Sequence, residues 1–160
     1  AADQPRVEGE ALFIRGAVYF ELVRFFAKPY TAGSVTTNPG VPLVLTPTKA
    51  ITEQSRVSRA TVAEVYQQVI ADLTKAEAQL PTSNGVYASK VAAAAILSRV
   101  YLQMEDFQKA RDAANRAIGY GRHSLTATVE EAFNNAGNST EDIFALQVNA
   151  QDGNNNMQLY

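Results

Sequence analysis

The chain has no cysteine, no tryptophan and a single histidine, His123, among its 160 residues. Without cysteine there is no disulfide, no thiolate metal site and no cysteine nucleophile. With one histidine, a metal centre would have to rest on Asp, Glu or Asn, and no Glu-x-x-His or His-x-x-x-His pair occurs. No Gly-x-Ser-x-Gly elbow accompanies His123, which reads as a surface or strand-edge residue. Gly119-Tyr120-Gly121 is too short to cradle a phosphate, and no Lys-Ser or Lys-Thr follows it. No cofactor is expected. Long apolar runs are missing too. The stretch from Leu12 to Phe26 is broken by Arg15, Glu21 and Arg24, so it falls short of the roughly 18 uninterrupted apolar residues of a transmembrane helix. A net charge of −2 without any basic run gives no footprint for nucleic acid or an anionic membrane surface. The opening AADQP lacks Met, a basic leader and a cleavage site, which reads as a processed or truncated product.

What is present is apolar surface at helical spacing. A hydrophobic fraction of 46% supports a sizeable core, and the length fits one domain, or part of one, over 1–160. The first helix is expected from about Pro5 to Lys28, with Leu12, Gly16, Tyr19, Val23 and Phe26 on one face and Phe13, Phe20 and Leu22 widening it. Tyr19, Phe20, Phe25 and Phe26 are expected in the core, because their spacing is that of a packing face. Pro29 ends this helix. Residues 29–60 form a long Thr-, Pro- and Ser-rich insertion, with a turn at Asn38-Pro39-Gly40 and a short extended stretch in which Val41, Leu43 and Leu45 alternate.

A second helix opens at Thr61 and Glu64, which form a capping box, carries Val62, Val65, Val69, Leu73, Ala76 and Leu80 as its stripe, and stops at Pro81. Lys90 to Gly121 then reads as a helical hairpin, with Asp106 as the N-cap of its second helix and Gly121 as a left-handed cap. Leu97, Ser98 and Tyr101 on its first helix and Phe107, Ala110, Ala114 and Ala117 on its second have the order of a tetratricopeptide unit. Such units usually bind other molecules rather than catalyse. Beyond Gly121 a short helix is expected over Thr128–Asn135, then a polar loop. A strand buried on both faces is expected over Ile143–Val148, and 149–160 forms a polar tail. The fold class is therefore mainly α: antiparallel tetratricopeptide-like helix pairs in an α–α superhelix, with a long irregular insertion and one or two short C-terminal β-strands.

The carboxylate pairs Glu105-Asp106, Glu130-Glu131 and Glu141-Asp142 stand at helix starts or in loops, so they read as capping groups rather than a catalytic pair. Asn138-Ser139-Thr140 is a formal sequon in a loop. Ligand-binding candidates are Tyr30, at the mouth of the insertion, Asn38 within it, and Asn149 and Gln151 in the Asn-rich tail, whose amide and hydroxyl groups suit sugar hydroxyls.

Five blocks come in one order: EALFIRGAVYFELVRFFAKPY, GVPLVLTPT, RATVAEVYQQVIADLTKAEAQLP, SKVAAAAILSRVYLQMEDFQKARDAANRAI and EDIFALQ. Together they resemble the SusD/RagB family over about Glu8 to Val148. The resemblance implies a non-catalytic surface lipoprotein of Bacteroidetes, on the extracellular face of the outer membrane. It would bind glycans or peptides and act with a SusC-like TonB-dependent transporter. It further implies a lipid anchor absent from this chain, and no nucleic-acid partner. Full-length family members are several times longer, and no family contact residue maps onto a matching motif here. Two other readings stand beside it. One is a tetratricopeptide scaffold for protein–protein interaction, whose inner face would be Ala92, Ala95, Ile96 and Arg99. The other is an enzyme using Asp or Glu as acid/base.

Overall fold

The computed structural model describes residues 3–133 and 137–146. The chain divides into two compact units, Ala1–Arg122 and His123–Tyr160. The first holds four helices, α1 (Gln4–Phe26), α2 (Val62–Gln79), α3 (Lys90–Gln103) and α4 (Phe107–Gly119), and two short strands, β1 (Pro39–Pro42) and β2 (Arg59–Thr61). Consecutive helices pack in sequence, α1 on α2, α2 on α3 and α3 on α4, as in stacked helical hairpins.

Helix α1 carries Pro5 in its first turn, which its fixed φ suits. It buries Gly9, Phe13, Gly16, Phe20 and Val23. Their alternating spacing of four and three residues makes a narrow seam. The two glycines set this register. A Cβ on Gly9 would lie 3.1 Å from Leu80 Cγ, and one on Gly16 would lie 2.9 Å from Leu73 Cγ, so α2 approaches α1 where Cβ atoms are missing. The expected stripe is therefore corrected. Gly16 and Val23 belong to it, Leu12 and Tyr19 are half-buried, and Phe25 and Phe26 stand 76% and 67% exposed.

Helix α2 is the hub. Thr61 and Glu64 form the expected capping box: the Glu64 amide donates to Thr61 Oγ1 at 3.2 Å, and the Thr61 amide donates to the Glu64 carboxylate at 2.7 Å. Val62, Val65, Val69, Leu73, Ala76 and Leu80 are all buried, as their spacing predicts. Two buried acids share this helix, each gripped by an arginine from a neighbour. Arg15 on α1 donates from Nε and Nη2 to Asp72 at 2.7 Å each, with Gln68 adding a bond at 2.7 Å. Arg116 on α4 donates to Glu77 at 2.8 and 2.9 Å, and the Tyr120 hydroxyl donates to Glu77 at 3.0 Å. These planar, two-pronged contacts satisfy the buried oxygens and fix three helices relative to one another. Burial, then the bond to Glu77, pushes the Tyr120 phenol up.

Helix α3 opens at Ser89, which accepts from the Ala92 amide at 3.2 Å, and buries Val91, Ala92, Ala93, Ala94, Leu97 and Val100. Its alanines let α2 and α4 close on it from two sides. Asp106 caps α4 as expected, accepting from the Lys109 amide at 3.2 Å, and Gly121 takes φ +63°. The α4 seam is Ala110, Ala113 and Ala117. The sequence pattern places Ala114 and Phe107 in it. Ala114 is half-buried, and Phe107 stands 63% exposed at the turn end of the hairpin, where no further helix covers it among the described residues.

In the insertion, β1 and β2 pair antiparallel with an irregular register, Pro39 opposite Thr61 and Pro42 opposite Arg59. Gly40 is required there: a Cβ would sit 2.9 Å from the carbonyl oxygens of both Ala60 and Thr61. The expected extended stretch is shorter than its apolar alternation, with Val41 buried and Leu43 half-buried.

In the second unit the Ser124 amide donates to the Thr140 carbonyl at 3.1 Å, and Thr126 donates twice to Glu141, at 2.8 and 2.7 Å. Helix α5 (Val129–Ala132) is capped by Thr128. No strand forms over 143–146, contrary to the expectation of C-terminal strands, and Leu146 is 82% exposed. A strand needs a partner backbone, and none pairs with this segment among the described residues. Both strands of the first unit lie in the insertion instead. Gln147 and Val148 fall outside the described residues.

Candidate functional site

The outer face of α1 and the start of the insertion enclose an open groove of about 1020 Å³. Ile14, Val18, Leu22 and Phe26 form its floor, one apolar residue per helical turn, and Val41 and Val44 form the facing wall. Its polar groups are committed elsewhere. Arg15 holds Asp72. Arg59 donates to three carbonyls, Gly40 at 2.5 Å, Phe26 at 2.8 Å and Pro39 at 3.2 Å. The Tyr19 hydroxyl accepts from the Val44 amide at 2.7 Å and donates to the Val44 carbonyl at 3.1 Å, standing in for a neighbouring strand. A groove with its cations spent on internal partners suits an apolar occupant rather than a phosphate or a sugar.

Two of the sequence candidates, Tyr30 and Asn38, lie on a different part of the insertion. Tyr30 is half-buried, its ring 4.8 Å from that of Tyr66 at an interplanar angle of 60°. Tyr66 is buried and meets Phe20 edge-on at 6.1 Å, and burial pushes its phenol up. Tyr30 is thus braced by the Tyr66 ring, itself backed by Phe20, while part of it faces outward. Asn38 is spent on the loop itself. Its side-chain amide donates to the Ala32 carbonyl at 2.5 Å, and its backbone carbonyl accepts from the Val62 amide at 3.0 Å. Asn149 and Gln151 lie outside the described residues.

His123 is exposed. The acidic pairs serve caps and turns: Asp106 caps α4, Glu131 accepts from the Ala127 amide at 3.0 Å, and Glu141 holds Thr126. Among the described residues no cluster of His, Cys, Asp or Glu could hold a metal. No described helix is long and apolar enough to cross a membrane. The α1 groove escapes a sequence reading because its floor residues look like core, and only the position of α2 shows that they are not.

The model of a SusD-like family described as "Starch-binding associating with outer membrane" matches residues 2–102. The chain is 36% identical over 115 residues to SusD-like protein P2 of Formosa agariphila, covering 70% of this chain and 20% of that protein. Among solved structures, a SusD superfamily protein from Bacteroides thetaiotaomicron superposes with a TM-score of 0.81 at 37% identity, over 92% of this chain and 32% of that one. A protein described as sugar binding from Bacteroides vulgatus superposes with a TM-score of 0.75 at 30% identity, over 88% of this chain and 32% of that one. The chain therefore spans between a fifth and a third of the length of these relatives.

Proposed function

The chain belongs to the SusD-like family, and on that premise we propose that it is the helical support of a non-catalytic protein that captures glycans at the cell surface for import. The observation that carries this reading is the family match across residues 2–102, which takes in α1, the insertion, α2 and most of α3. The physical arrangement supports it. Two arginine–carboxylate clamps and an alanine-lined hairpin make a stiff back wall, and a stiff wall lowers the entropy cost of holding a ligand in loops mounted on it. Tyr30, braced on Tyr66, is the ring we assign to stack on sugar. Peptide is the alternative ligand class. A SusC-like TonB-dependent transporter is the partner, and attachment to the outer membrane is through a lipid anchor.

Calorimetric titration of the chain with starch-derived oligosaccharides tests the reading. Saturable binding is expected, weakened about tenfold in Tyr30→Ala, the scale of one stacking contact. Unchanged affinity in the variant removes Tyr30 from the site. Absence of binding in the chain, together with binding to an unrelated peptide library, overturns the glycan assignment. The oligosaccharides are expected to be recovered at full length after incubation. Shortened products would make the protein an enzyme.

A further inference from the structure

We propose that residues 46–58 form a strap that closes over the apolar groove on α1. Both ends of this strap sit on the groove's own rim. On one side Val44 lines the groove and is pinned at its amide and carbonyl by the Tyr19 hydroxyl, while the Leu45 carbonyl accepts from Arg15 at 3.4 Å. On the other side Arg59 lines the groove and is pinned to Gly40, Phe26 and Pro39. Between these anchors, among the described residues, every hydrogen bond and ion pair of the strap is internal. The Thr52 amide donates to Ser55 Oγ at 3.0 Å, the Ser55 amide donates to the Thr52 carbonyl at 2.9 Å, Ser55 Oγ donates to the Ala50 carbonyl at 3.4 Å, and Arg56 pairs with Glu53 at 3.5 Å. The tip is thus a self-closed turn on two tethers, and among the described residues no hydrogen bond or ion pair ties it to the body.

The strap also carries what a cover needs. Ile51, beside the turn, is 92% exposed, and Val57 is exposed as well. The groove opposite offers Ile14 and Val18, both exposed. Half of such an arch reaches up to about 20 Å from its anchors. Because the ends are already held together, closure costs little further loop entropy, and apolar surface leaves water on both sides. The structure holds the open form. Closing would place Ile51 against the α1 floor near Val18.

The absence of cysteine allows a clean test. The double variant Val18→Cys/Ile51→Cys is equilibrated in glutathione buffer and its disulfide fraction is measured, so that population rather than a rare excursion is read. Ile51→Cys/Val86→Cys is the control. Val86 follows the far end of α2 from the strap, about 27 Å along an 18-residue helix. All three positions are exposed, so neither variant disturbs the core, and circular dichroism confirms that both remain helical. The Val18 pair is expected to form its disulfide with an effective concentration at least about tenfold above the control. Equal values for the two pairs, or no disulfide in either, overturn the closure.

Discussion

Gly16 and Gly119 both lie in helices and differ in what surrounds them. A methyl on Gly16 meets the buried Leu73, whereas one on Gly119 meets nothing within 4 Å. Gly16→Ala is therefore expected to push α1 off α2 and cost about 1–3 kcal/mol, as overpacking does. Gly119→Ala is expected to stabilise α4 by about 0.5–1 kcal/mol through helix propensity. Urea midpoints of the two variants, read against the parent, must move in opposite directions. At the same scale, two surface carboxylates differ in what holds them low. The Lys75 ammonium, then the Gln79 amide, lowers Glu8, while the Thr61 backbone amide, then its hydroxyl, lowers Glu64. A depressed folded-state value means that the stabilisation is present above the ordinary carboxylate range and is lost as pH falls through the depressed value. NMR titration should find both groups below an ordinary glutamate. Salt at about 1 M should return Glu8 toward normal and leave Glu64 where it is, because screening weakens an exposed ion pair and the Glu64 partners carry no net charge.

At the scale of elements, the helix caps were legible because they are local chemistry. Thr61-x-x-Glu64, Asp106 and Thr128 each satisfy amides within three residues of themselves. Thr61→Ala is expected to cost about 1 kcal/mol, with the loss confined to the first turn of α2 in hydrogen exchange. The faces were less legible. Helix α1 carries two apolar stripes, one through Phe13, Gly16 and Phe20 and one through Ile14, Val18 and Leu22, and spacing alone does not rank them. The first is inside because its glycines admit Leu73 and Leu80. On α3 the reading of Leu97 as core holds, and Leu97→Ala is expected to lower stability by about 2–5 kcal/mol, measured by thermal or urea unfolding.

Across the whole molecule, every buried apolar side chain among the described residues belongs to the unit Ala1–Arg122. A chain ending at Arg122 is expected to fold, with cooperative unfolding and the ellipticity of four helices. A gradual, non-cooperative melt would show that this unit is not sufficient. Helix count, turn positions and caps followed from residues close together in the chain, since a proline, a left-handed glycine or a capping hydroxyl acts on its immediate neighbours. The pairing of Arg15 with Asp72 and of Arg116 with Glu77, the exposure of Phe26, and the groove beside β1 followed from where α2 came to rest. Its position depends on contacts between residues dozens of places apart, and a pattern of period 3.6 does not record which of two apolar faces another helix will occupy.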